Sequence, residues 1–465
     1  MAKHSRAIRG FRSLPLVVLA LAVSCHGGSD TGDGSEAGDG VETGPTAAEV
    51  EEIEIWGDLD KEFDGDGKVS TSVQSGSKDD FARAVAIQTD GKIVVAGSSH
   101  GSLYDDFSLA RYNPDGSLDA GFDGDGKTIT QVGSFNDHAY AMAIQADGKI
   151  VVVGAVQVQS ATGTYSFRAA VVRYGTDGSL DGGFGGDGKA TLPLDSSFAY
   201  AVGIQTDGRI VVAGAAPGGF LTFRCGPDGS LDTGFNGSGM TTTSIPGSGG
   251  AGRGAALAIQ ADGKIVVAGH AYNNGLALGS NDDFAVVRYH TDGSLDATFD
   301  GDGVATAAID PEKEDIVKAV VLQSDGKIVV AGYTDAGYND NDIAVVRFNT
   351  DGSLDAGWGG GGKVVTSTGE GGYDQAHGLA IQSDGKVVVV GHGGPGGLLA
   401  VRYATDGSLD ASFGEGGMQL STTMGSSTST AYLTAVVIQP DHKIVAAGYY
   451  YNYPYGKDFV VVRYK

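Results

Sequence analysis

Acidic residues alternating with glycines are the feature of this sequence with the most obvious chemistry. The stretch NPDGSLDAGFDGDGK, residues 113–127, looks like part of a calcium loop, because carboxylate oxygens are the ligands that Ca²⁺ prefers. Seven copies of its turn align: DGDG at 64–67, 123–126 and 300–303, then GGDG at 185–188, NGSG at 236–239, GGGG at 359–362 and GEGG at 414–417. The glycines recur and the carboxylates do not, which favours a structural turn. We therefore predict no metal and no cofactor, with calcium at the three acidic copies as the alternative.

Histidine and cysteine form no recognisable catalytic motif, since the chain has no H-E-x-x-H, no G-x-S-x-G and no paired Cys motif. His270 and His392 lie ten residues after the equivalent Gln260 and Gln382. Other units carry Ser98, Ala155, Ala215, Tyr333 and Tyr449 at this position. Such variation predicts a solvated loop position and not a metal site. Cys225 replaces a strand aromatic, so a buried structural thiol is expected, and no enzymatic activity is predicted.

A repeat with a period near sixty residues organises the chain. Its core, A-I-Q-x-D-G-K-I-V-V-x-G, occurs seven times, with the glutamine at Gln88, Gln145, Gln205, Gln260, Gln323, Gln382 and Gln439. Two apolar runs flank an Asp-Gly dipeptide, which is the signature of a β-hairpin with a type I′ turn. His442 replaces the glycine in the last copy and is predicted to be a turn residue.

Two further strands complete each unit. An apolar run ends in Arg-aromatic, as in FAVVRY at 284–289, and a short run such as KTITQV at 127–132 follows the acidic turn. Strands that are apolar on both faces require neighbouring sheets on both sides, which favours a radial stack. The segment 57–73 matches the turn plus innermost strand of a unit and should pair with the strand near 458–464. We predict an all-β, seven-bladed propeller with four antiparallel strands per blade, closed by N-terminal strand exchange with the C-terminal blade; an open solenoid is the alternative.

The same residues carry a family resemblance. R-Y-N-P-D-G-S-L-D-A-G-F-D-G-D-G-K, followed by A-I-Q-A-D-G-K-I-V-V-V-G, resembles the delta-60 repeat of bacterial secreted and surface proteins, and it recurs through residues 57–465. This resemblance implies a propeller-like fold on an exported protein. It brings no established reaction, cofactor or catalytic residue.

One arginine per unit is predicted to be structural. Each should pair with an aspartate or a carbonyl of the turn that follows, because a guanidinium fork satisfies several acceptors. These residues are Arg111, Arg173, Arg224, Arg288, Arg347, Arg402 and Arg463, and the aspartates are Asp119, Asp181, Asp232, Asp296, Asp355 and Asp410, with Asp60 serving Arg463.

The N-terminal region is predicted to direct export. Residues 1–24 read as a signal peptide, with a basic start and an apolar run too short to span a bilayer. Cys25 ends a stretch similar to the bacterial lipoprotein box, so we expect lipidation, with ordinary secretion as the alternative. Residues 25–55 are an acidic tether without the apolar surface to fold, and residues 56–465 are the propeller. This predicts an exported bacterial cell-envelope protein, an outer-membrane or surface lipoprotein, that meets the membrane only through its lipid anchor.

The net charge of −26 argues against nucleic acid as a partner. Two of the four loops in each unit vary in length and should emerge on one face, where tyrosines gather among Asn and Asp. A binding module for an extracellular glycan, peptide or surface protein is the function this predicts. The candidate ligand-binding residues are Tyr104, Tyr272, Tyr333, Tyr338, Tyr449, Tyr450, Tyr451, Tyr453 and Tyr455.

Two other function classes remain open at this point. One is a structural envelope component without a small ligand, and the other is a propeller hydrolase or lyase acting at the central funnel. An enzyme should bring acids or histidines together at the funnel, whereas a binding module should carry exposed aromatics on one face. Asp106, Asp283, Asp342 and Asp458 open the third long strand of their units on the variable-loop side, where they could add a cation.

Overall fold

A computed structural model describes residues 57–74, 79–101, 103–248, 252–273, 281–337, 340–369, 372–394, 397–421, 430–452 and 456–465. The predicted signal peptide and tether lie outside these residues, as do Cys25, Tyr338, Tyr453 and Tyr455. No helix able to span a membrane occurs in the part of the chain that is described.

The described residues form twenty-eight strands in seven four-stranded antiparallel sheets, the blades of a β-propeller. The first strand is β1 (Lys68–Thr71), and blade 1 contains β2 (Asp80–Ile87), β3 (Ile93–His100), β4 (Asp105–Tyr112) and β5 (Lys127–Thr130). Blade 2 contains β6 (Asp137–Ile144), β7 (Ile150–Gln159), β8 (Tyr165–Tyr174) and β9 (Lys189–Thr191). Blade 3 contains β10 (Phe198–Ile204), β11 (Ile210–Ala216), β12 (Gly219–Cys225) and β13 (Met240–Thr243). Blade 4 contains β14 (Gly252–Ile259), β15 (Ile265–Asn273), β16 (Asn281–Tyr289) and β17 (Val304–Ala307).

Blade 5 contains β18 (Asp315–Leu322), β19 (Ile328–Gly337), β20 (Asp340–Phe348) and β21 (Lys363–Thr366). Blade 6 contains β22 (Gln375–Ile381), β23 (Val387–Gly393), β24 (Gly397–Tyr403) and β25 (Met418–Ser421). Blade 7 contains β26 (Ala431–Ile438), β27 (Ile444–Asn452) and β28 (Gly456–Tyr464), and β1 is its fourth strand. The predicted fold class is confirmed.

The first strand of each blade lies innermost, next to the central axis. β2, β6, β10, β14, β18, β22 and β26 contact one another in order, and β26 returns to β2. The short strand of each blade lies at the rim, where Ile129, Val365 and Leu420 are exposed. The prediction that residues 57–73 supply an innermost strand was therefore wrong: β1 is an outermost strand. A four-residue strand with one face in water suits a rim, whereas the axis needs strands that neighbouring blades cover on both sides.

The two ends of the described chain share blade 7. β1 pairs antiparallel with β28 in the register Lys68↔Val462 to Thr71↔Phe459, and Leu59 forms a β-bridge with Tyr464. The predicted pairing of 57–73 with the strand near 458–464 is present. β28 therefore has a partner on both edges, with β27 on one side and β1 on the other.

Apolar cores lie between successive blades. Between blades 7 and 1, Phe63, Val95, Tyr112 and Phe459 are fully buried. The aromatic residue of each acidic turn fills the same position in its own interface and is also fully buried: Phe63, Phe122, Phe184, Phe235, Phe299, Trp358 and Phe413. Cys225 is buried as predicted, and burial raises the pKa of its thiol to about 12, so this residue is an inert packing element.

Candidate functional site

Each innermost strand contains a β-bulge at the same repeat position. In β2 the register against β3 shifts between Ala82 and Ala84, which leaves Arg83 unpaired. A bulge re-aims the side chain of the extra residue and is common beside functional sites. The bulged residues of the seven blades are Arg83, Tyr140, Tyr200, Ala255, Lys318, His377 and Thr434.

A glycine of the repeat motif makes room for each bulge. A Cβ built on Gly97 would overlap the carbonyl oxygen of Phe81 on the neighbouring strand, and one on Gly154 would overlap that of His138. The same clash occurs at the equivalent glycine of every blade: Gly214, Gly269, Gly332, Gly391 and Gly448. The final glycine of I-V-V-x-G therefore serves to let the inner strand bulge toward the axis.

The seven bulged residues, which we call the channel ring, line a cavity of about 400 Å³ at the centre of the propeller. Each bulge lies just before the middle of its inner strand, so the ring lies near half the depth of the channel, slightly toward the face that carries the variable loops. Arg253, His270, Val317, Tyr432 and Tyr449 complete the lining. A volume of this size suits a small ligand or one end of a longer one.

Sequence reasoning did not find the channel ring, although a signal for it exists. Every ring residue stands five positions before the repeat glutamine, in a strand whose next partner strand carries the obligatory glycine. Variation at this position, among Arg, Tyr, Ala, Lys, His and Thr, contrasts with the residues on either side of it, which are Ala or Gly in most copies and apolar in the others. A residue that varies among repeat units, within strands that are otherwise similar, is a candidate for ligand contact.

His270 and His392 do not lie at a solvated loop position, so that prediction was wrong. Both lie within strands, β15 and β23, and both are buried. His270 pairs with Arg253 and His392 with Gln375, next to the bulges of their blades. Of the residues at this position, His270 and Tyr449 line the cavity.

Aromatic rings from blades 6, 7, 1, 2 and 3 form a continuous arc around the channel. His392 stacks on Tyr432 with ring centroids 4.5 Å apart, and Tyr432 stacks on Tyr449 at 5.2 Å. Tyr449 meets Phe81 edge to face at 5.2 Å. On the other side Tyr140 meets Tyr200 at 5.0 Å, and Tyr200 stacks on Phe198 at 5.8 Å. We call these seven residues the aromatic arc.

Three positively charged side chains, Arg83, Arg253 and Lys318, also line the cavity. Arg83 joins the two halves of the aromatic arc, with its guanidinium carbon 5.4 Å from the Tyr140 ring centroid and 5.7 Å from that of Phe81. Lys318 and Arg253 come from blades 5 and 4, opposite the arc, and Lys318 lies 5.6 Å from the Tyr333 ring centroid. Among the described residues that line the cavity there is no carboxylate. The cavity lining is therefore positively charged, although the chain as a whole has a net charge of −26.

Burial and the neighbouring positive charges lower the pKa of basic side chains in the channel. Burial, followed by Arg253 and Arg83, lowers the pKa of Lys318. Burial, followed by Lys318, lowers the pKa of both His270 and His377 to about 3, so both imidazoles are neutral at pH 7. The channel therefore offers fixed cations and neutral hydrogen-bonding rings, but no ionised acid.

The predicted ligand-binding tyrosines fall into different environments. Tyr449 lines the cavity, and Tyr333 contacts Lys318 beside it. Tyr451 is exposed, and its ring centroid lies 6.4 Å from that of Tyr432. Tyr104 lies away from the cavity against Phe135, at 5.5 Å, and Tyr272 is described only in its backbone, within β15.

Tyr450 was predicted to be a loop residue at the binding face, and this was wrong. It lies within β27, is only 9% exposed, and packs in the core between blades 6 and 7. The run Tyr449 to Tyr451 is part of a strand, so alternate side chains point to opposite faces of the blade.

The repeated arginines form the predicted pairs. Arg288 Nε donates to Asp296 Oδ2 at 2.7 Å, and its Nη1 donates to the carbonyl of Thr350 in the next blade. The lysine after the Asp-Gly turn, Lys264, joins the same carboxylate at 3.1 Å. Pairing with the turn aspartate recurs at all seven arginines: Arg111, Arg173, Arg224, Arg288, Arg347, Arg402 and Arg463. These clusters hold the blades together.

The acidic turns behave as turns. The first residue after the buried aromatic has positive φ in every copy, whether it is Asp64 at 52°, Asn236 at 48° or Gly359 at 52°. His442 likewise has φ 72° at its turn. Within the described residues no three His, Cys, Asp or Glu side chains come together to hold a metal ion. The shared property of these copies is backbone conformation.

Carboxyl groups also meet where blades join on the variable-loop face. Asp137, at the start of β6, is fully buried and accepts hydrogen bonds from the backbone N–H groups of Val132 and Gly133, both at 2.8 Å. Asp106, on β4 of the preceding blade, lies close enough to help raise its pKa. The equivalent interactions in other blades are Asp283 with Asp315 and Asp458 with Asp80. These carboxyls tie the variable loops to the inner strands.

Six segments of the chain match one family model, described as "Domain of unknown function (DUF5122) beta-propeller". The matched residues are 88–122, 145–184, 205–235, 260–299, 323–357 and 382–413. A comparison with curated proteins finds no match.

The chain is similar to several solved structures. A protein of unknown function from Dyadobacter fermentans DSM 18053 is 13% identical with a TM-score of 0.42, covering 86% of this chain and 99% of its own. The polysaccharide lyase Uly1 is 12% identical with a TM-score of 0.47, covering 85% and 91%. Sqt1 from Chaetomium thermophilum is 12% identical with a TM-score of 0.44, covering 83% and 96%. At these identities and TM-scores the likenesses carry no functional argument.

Proposed function

We propose that this protein is an extracellular binding module that holds its ligand at the channel ring, on the variable-loop face of the propeller. The observation that carries the proposal is the set of seven bulges. In each blade a bulge and a glycine turn one side chain into the channel, and the seven positions hold six different residue types. A purely structural ring would have no use for such variety.

The aromatic arc supports the same function. Tyrosine presents a flat apolar face with a polar tip, which suits the faces of sugar rings and of planar groups in peptides. Tyr432 and Tyr449 stand side by side at the cavity, and Tyr140 and Tyr200 stand across from them. A ligand in the cavity would contact these aromatic rings, and none of the described residues that line the cavity is a carboxylate.

A test of the proposal is a glycan array and a peptide array probed with the purified full-length protein. We expect specific binding that the double variant Tyr432→Ala, Tyr449→Ala weakens by at least about 30-fold, the size of a binding hot spot. Tyr165→Ala is the matched control, because Tyr165 is an exposed tyrosine on the same face that does not line the cavity. Unchanged binding by the double variant would contradict the proposed site.

An enzyme acting at the funnel is a second candidate, and a specific observation favours it. His270 and His377 converge on the cavity together with Tyr140 and Tyr200, which is the gathering of histidines expected of such an enzyme. A pure binding module would return each bound ligand unchanged. Chromatography of bound glycans after long incubation separates the two functions, because cleavage products appear only if the site is catalytic.

We also propose that the mature protein is a lipoprotein of the cell envelope with acylated Cys25. The apolar segment before Cys25 and the acidic stretch after it support this location. Mass spectrometry of the mature N-terminus tests it. A mature chain that begins at an unmodified residue other than Cys25 would contradict lipidation.

A further inference from the structure

We infer that the ligand of the channel is a small acidic saccharide whose anionic group is bound by Arg83, Arg253 and Lys318 and whose ring lies against the aromatic arc. This inference rests on the proposed function and adds the chemical class of the ligand. The anionic group is a carboxylate, as in a uronic acid, or a sulfate ester. Both are oxyanions that guanidinium and ammonium groups bind.

None of the three cations has a carboxylate partner among the described residues that line the cavity. Arg83 rests against the faces of Phe81 and Tyr140, and its buried Nε–H has no hydrogen-bond acceptor. Lys318 rests near the face of Tyr333. By contrast, Lys457 on the same face pairs with Asp79 at 3.0 Å, and the repeat arginines all pair with turn aspartates. A buried donor without an acceptor calls for an explanation, and a bound anion supplies one.

The three cations also repel one another. Arg253 and Arg83 both contribute, after burial, to the lowered pKa of Lys318. Asp282 is buried outside the cavity lining, and burial followed by Glu314 raises its pKa to about 6 although Arg253 lowers it. Convergent like charges cost stability in the empty protein, and an oxyanion between them would turn repulsion into attraction.

The distribution of groups fits a ring that carries a charge on one side. Tyr432, Tyr449, Tyr140 and Tyr200 come from blades 7, 2 and 3, with Arg83 of blade 1 between the two pairs, whereas Lys318 and Arg253 come from the facing blades 5 and 4. His377 is neutral and offers a hydrogen-bond partner suited to hydroxyl groups. A saccharide whose ring lies against the tyrosines and whose anionic substituent points to the centre of the channel, between Arg83 and the facing Lys318 and Arg253, matches this arrangement.

The size and the overall charge of the protein limit the ligand to a small one. A cavity of about 400 Å³ holds one or two sugar rings. The net charge of −26 repels a long polyanion, while the local cationic lining still attracts a single anionic group that enters the channel. A monosaccharide or the end of a short oligosaccharide is therefore preferred over an extended acidic polymer, and over nucleic acid.

The test is calorimetric titration of the full-length protein with uronic-acid disaccharides, their sulfated counterparts and the neutral disaccharides of the same linkage. We expect the acidic ligands to bind at least about 10-fold more tightly than the neutral ones, since each tenfold corresponds to 1.4 kcal/mol and one charge-assisted contact supplies that much. Preference between the carboxylate and the sulfate series identifies the anion. Raising the salt concentration should weaken only the acidic series.

Variants assign the effect to the channel. Lys318→Met removes one cation and keeps the length of the side chain; it should weaken acidic binding about 10-fold and neutral binding by much less. Lys68→Met is the matched control, because Lys68 lies on the rim strand β1. Melting temperatures close to that of the wild type for both variants exclude loss of fold as the cause.

The outcomes separate this inference from the proposed function. Equal affinity for acidic and neutral sugars, with no effect of Lys318→Met but loss on Tyr432→Ala, would overturn the anionic class and keep the binding site. Binding of an acidic sugar that Lys318→Met leaves unchanged would also overturn the inference. If no acidic sugar binds while an array ligand binds and depends on Tyr432 and Tyr449, the saccharide class is wrong and the proposed function stands.

Discussion

Arg463 donates a hydrogen bond from Nε to Oδ2 of Asp60 at 2.7 Å and thereby joins residues 403 positions apart in the chain. Asp60 is 1% exposed, and Lys443 reaches the same carboxylate oxygen at 2.8 Å. Arg463 Nη1 also donates to the carbonyl of Pro114 in blade 1. The same cluster occurs inside the other blades, but here it connects the two ends of the described chain.

Asp60→Asn should therefore destabilise more than the same change within a blade. Removing one partner of a buried ion pair costs about 3–5 kcal/mol, because the remaining charge is left uncompensated. At Asp60 this cost adds to loosening of β1 on β28, which exposes the edge of a long apolar strand. We expect a lower denaturation midpoint and more aggregation than for Asp232→Asn, whose partners Arg224 and Arg209 lie in the same repeat unit. Equal midpoints and equal solubility would show that the closing pair has no special role.

The architecture could be predicted from the sequence because the same pattern of strands and turns occurs in seven copies. Asp-Gly hairpins, strands ending in Arg-aromatic and a leftover turn-plus-strand at residues 57–73 define a closed ring by pattern alone. The order of strands within a blade was not accessible in the same way. Both KVST and DFARAVAI are short and amphipathic, and only the packing of β2 against β6 and β26 shows which one lies at the axis.

The candidate site was largely hidden for a related reason. A bulge breaks the period-two alternation that sequence analysis relies on, so Arg83 and its equivalents read as ordinary outward residues of a strand. The tyrosines at the end of the second long strand could be recognised because they cluster in sequence. Tyr140, Tyr200 and Tyr432 come from three different blades, and only the fold brings them to one channel.

The bulge and its glycine should be energetically coupled. Gly154→Ala would place a methyl group against the carbonyl of His138 and against the Phe107 ring, so we expect a loss of about 1–3 kcal/mol, the usual cost of overpacking a core. Gly182→Ala is the control, since Gly182 has ample space for a Cβ. Chemical denaturation measures both. A Gly154→Ala protein as stable as the Gly182→Ala protein would mean that the inner strand can flatten without cost.

The buried carboxyls at the blade junctions should make the stability of the fold depend on pH in the opposite direction to the ion pairs. Burial, reinforced by Asp106 and moderated by backbone hydrogen bonds and Lys189, raises the pKa of Asp137 from 3.8 to about 6. Because the folded protein binds this proton more tightly than the unfolded chain, the stabilisation is complete below about pH 3.8 and is lost as the pH rises through about 6.

Asp137→Asn tests this sign. The amide oxygen still accepts from Val132 and Gly133, and no charge has to be buried, so the variant should gain on the order of 2 kcal/mol over the wild type at pH 7 and little at pH 4. Asp296→Asn should behave in reverse, because hydrogen bonds and Arg288 hold the pKa of Asp296 far below its usual range despite its burial. The loss of stability in Asp296→Asn should be greatest at pH 7 and should disappear in strong acid. Parallel pH profiles for the two variants would refute the assignment.

The tyrosines of β27 should separate stability from ligand binding. Tyr450 is 9% exposed and packs with Leu433 and Val460 in the core between blades 6 and 7, so Tyr450→Ala should cost about 3–5 kcal/mol, as large aromatic truncations in cores do. Its neighbour Tyr451 is 42% exposed, and Tyr451→Ala should leave the melting temperature nearly unchanged. Thermal unfolding of the two variants measures the contrast. Tyr449→Ala should fall between them in stability while weakening the channel ligand, because Tyr449 lines the cavity and is held by Tyr432 and Phe81. If Tyr450→Ala melts with the wild type, or if Tyr451→Ala unfolds well below it, the alternation of side chains along β27 is not the one described here.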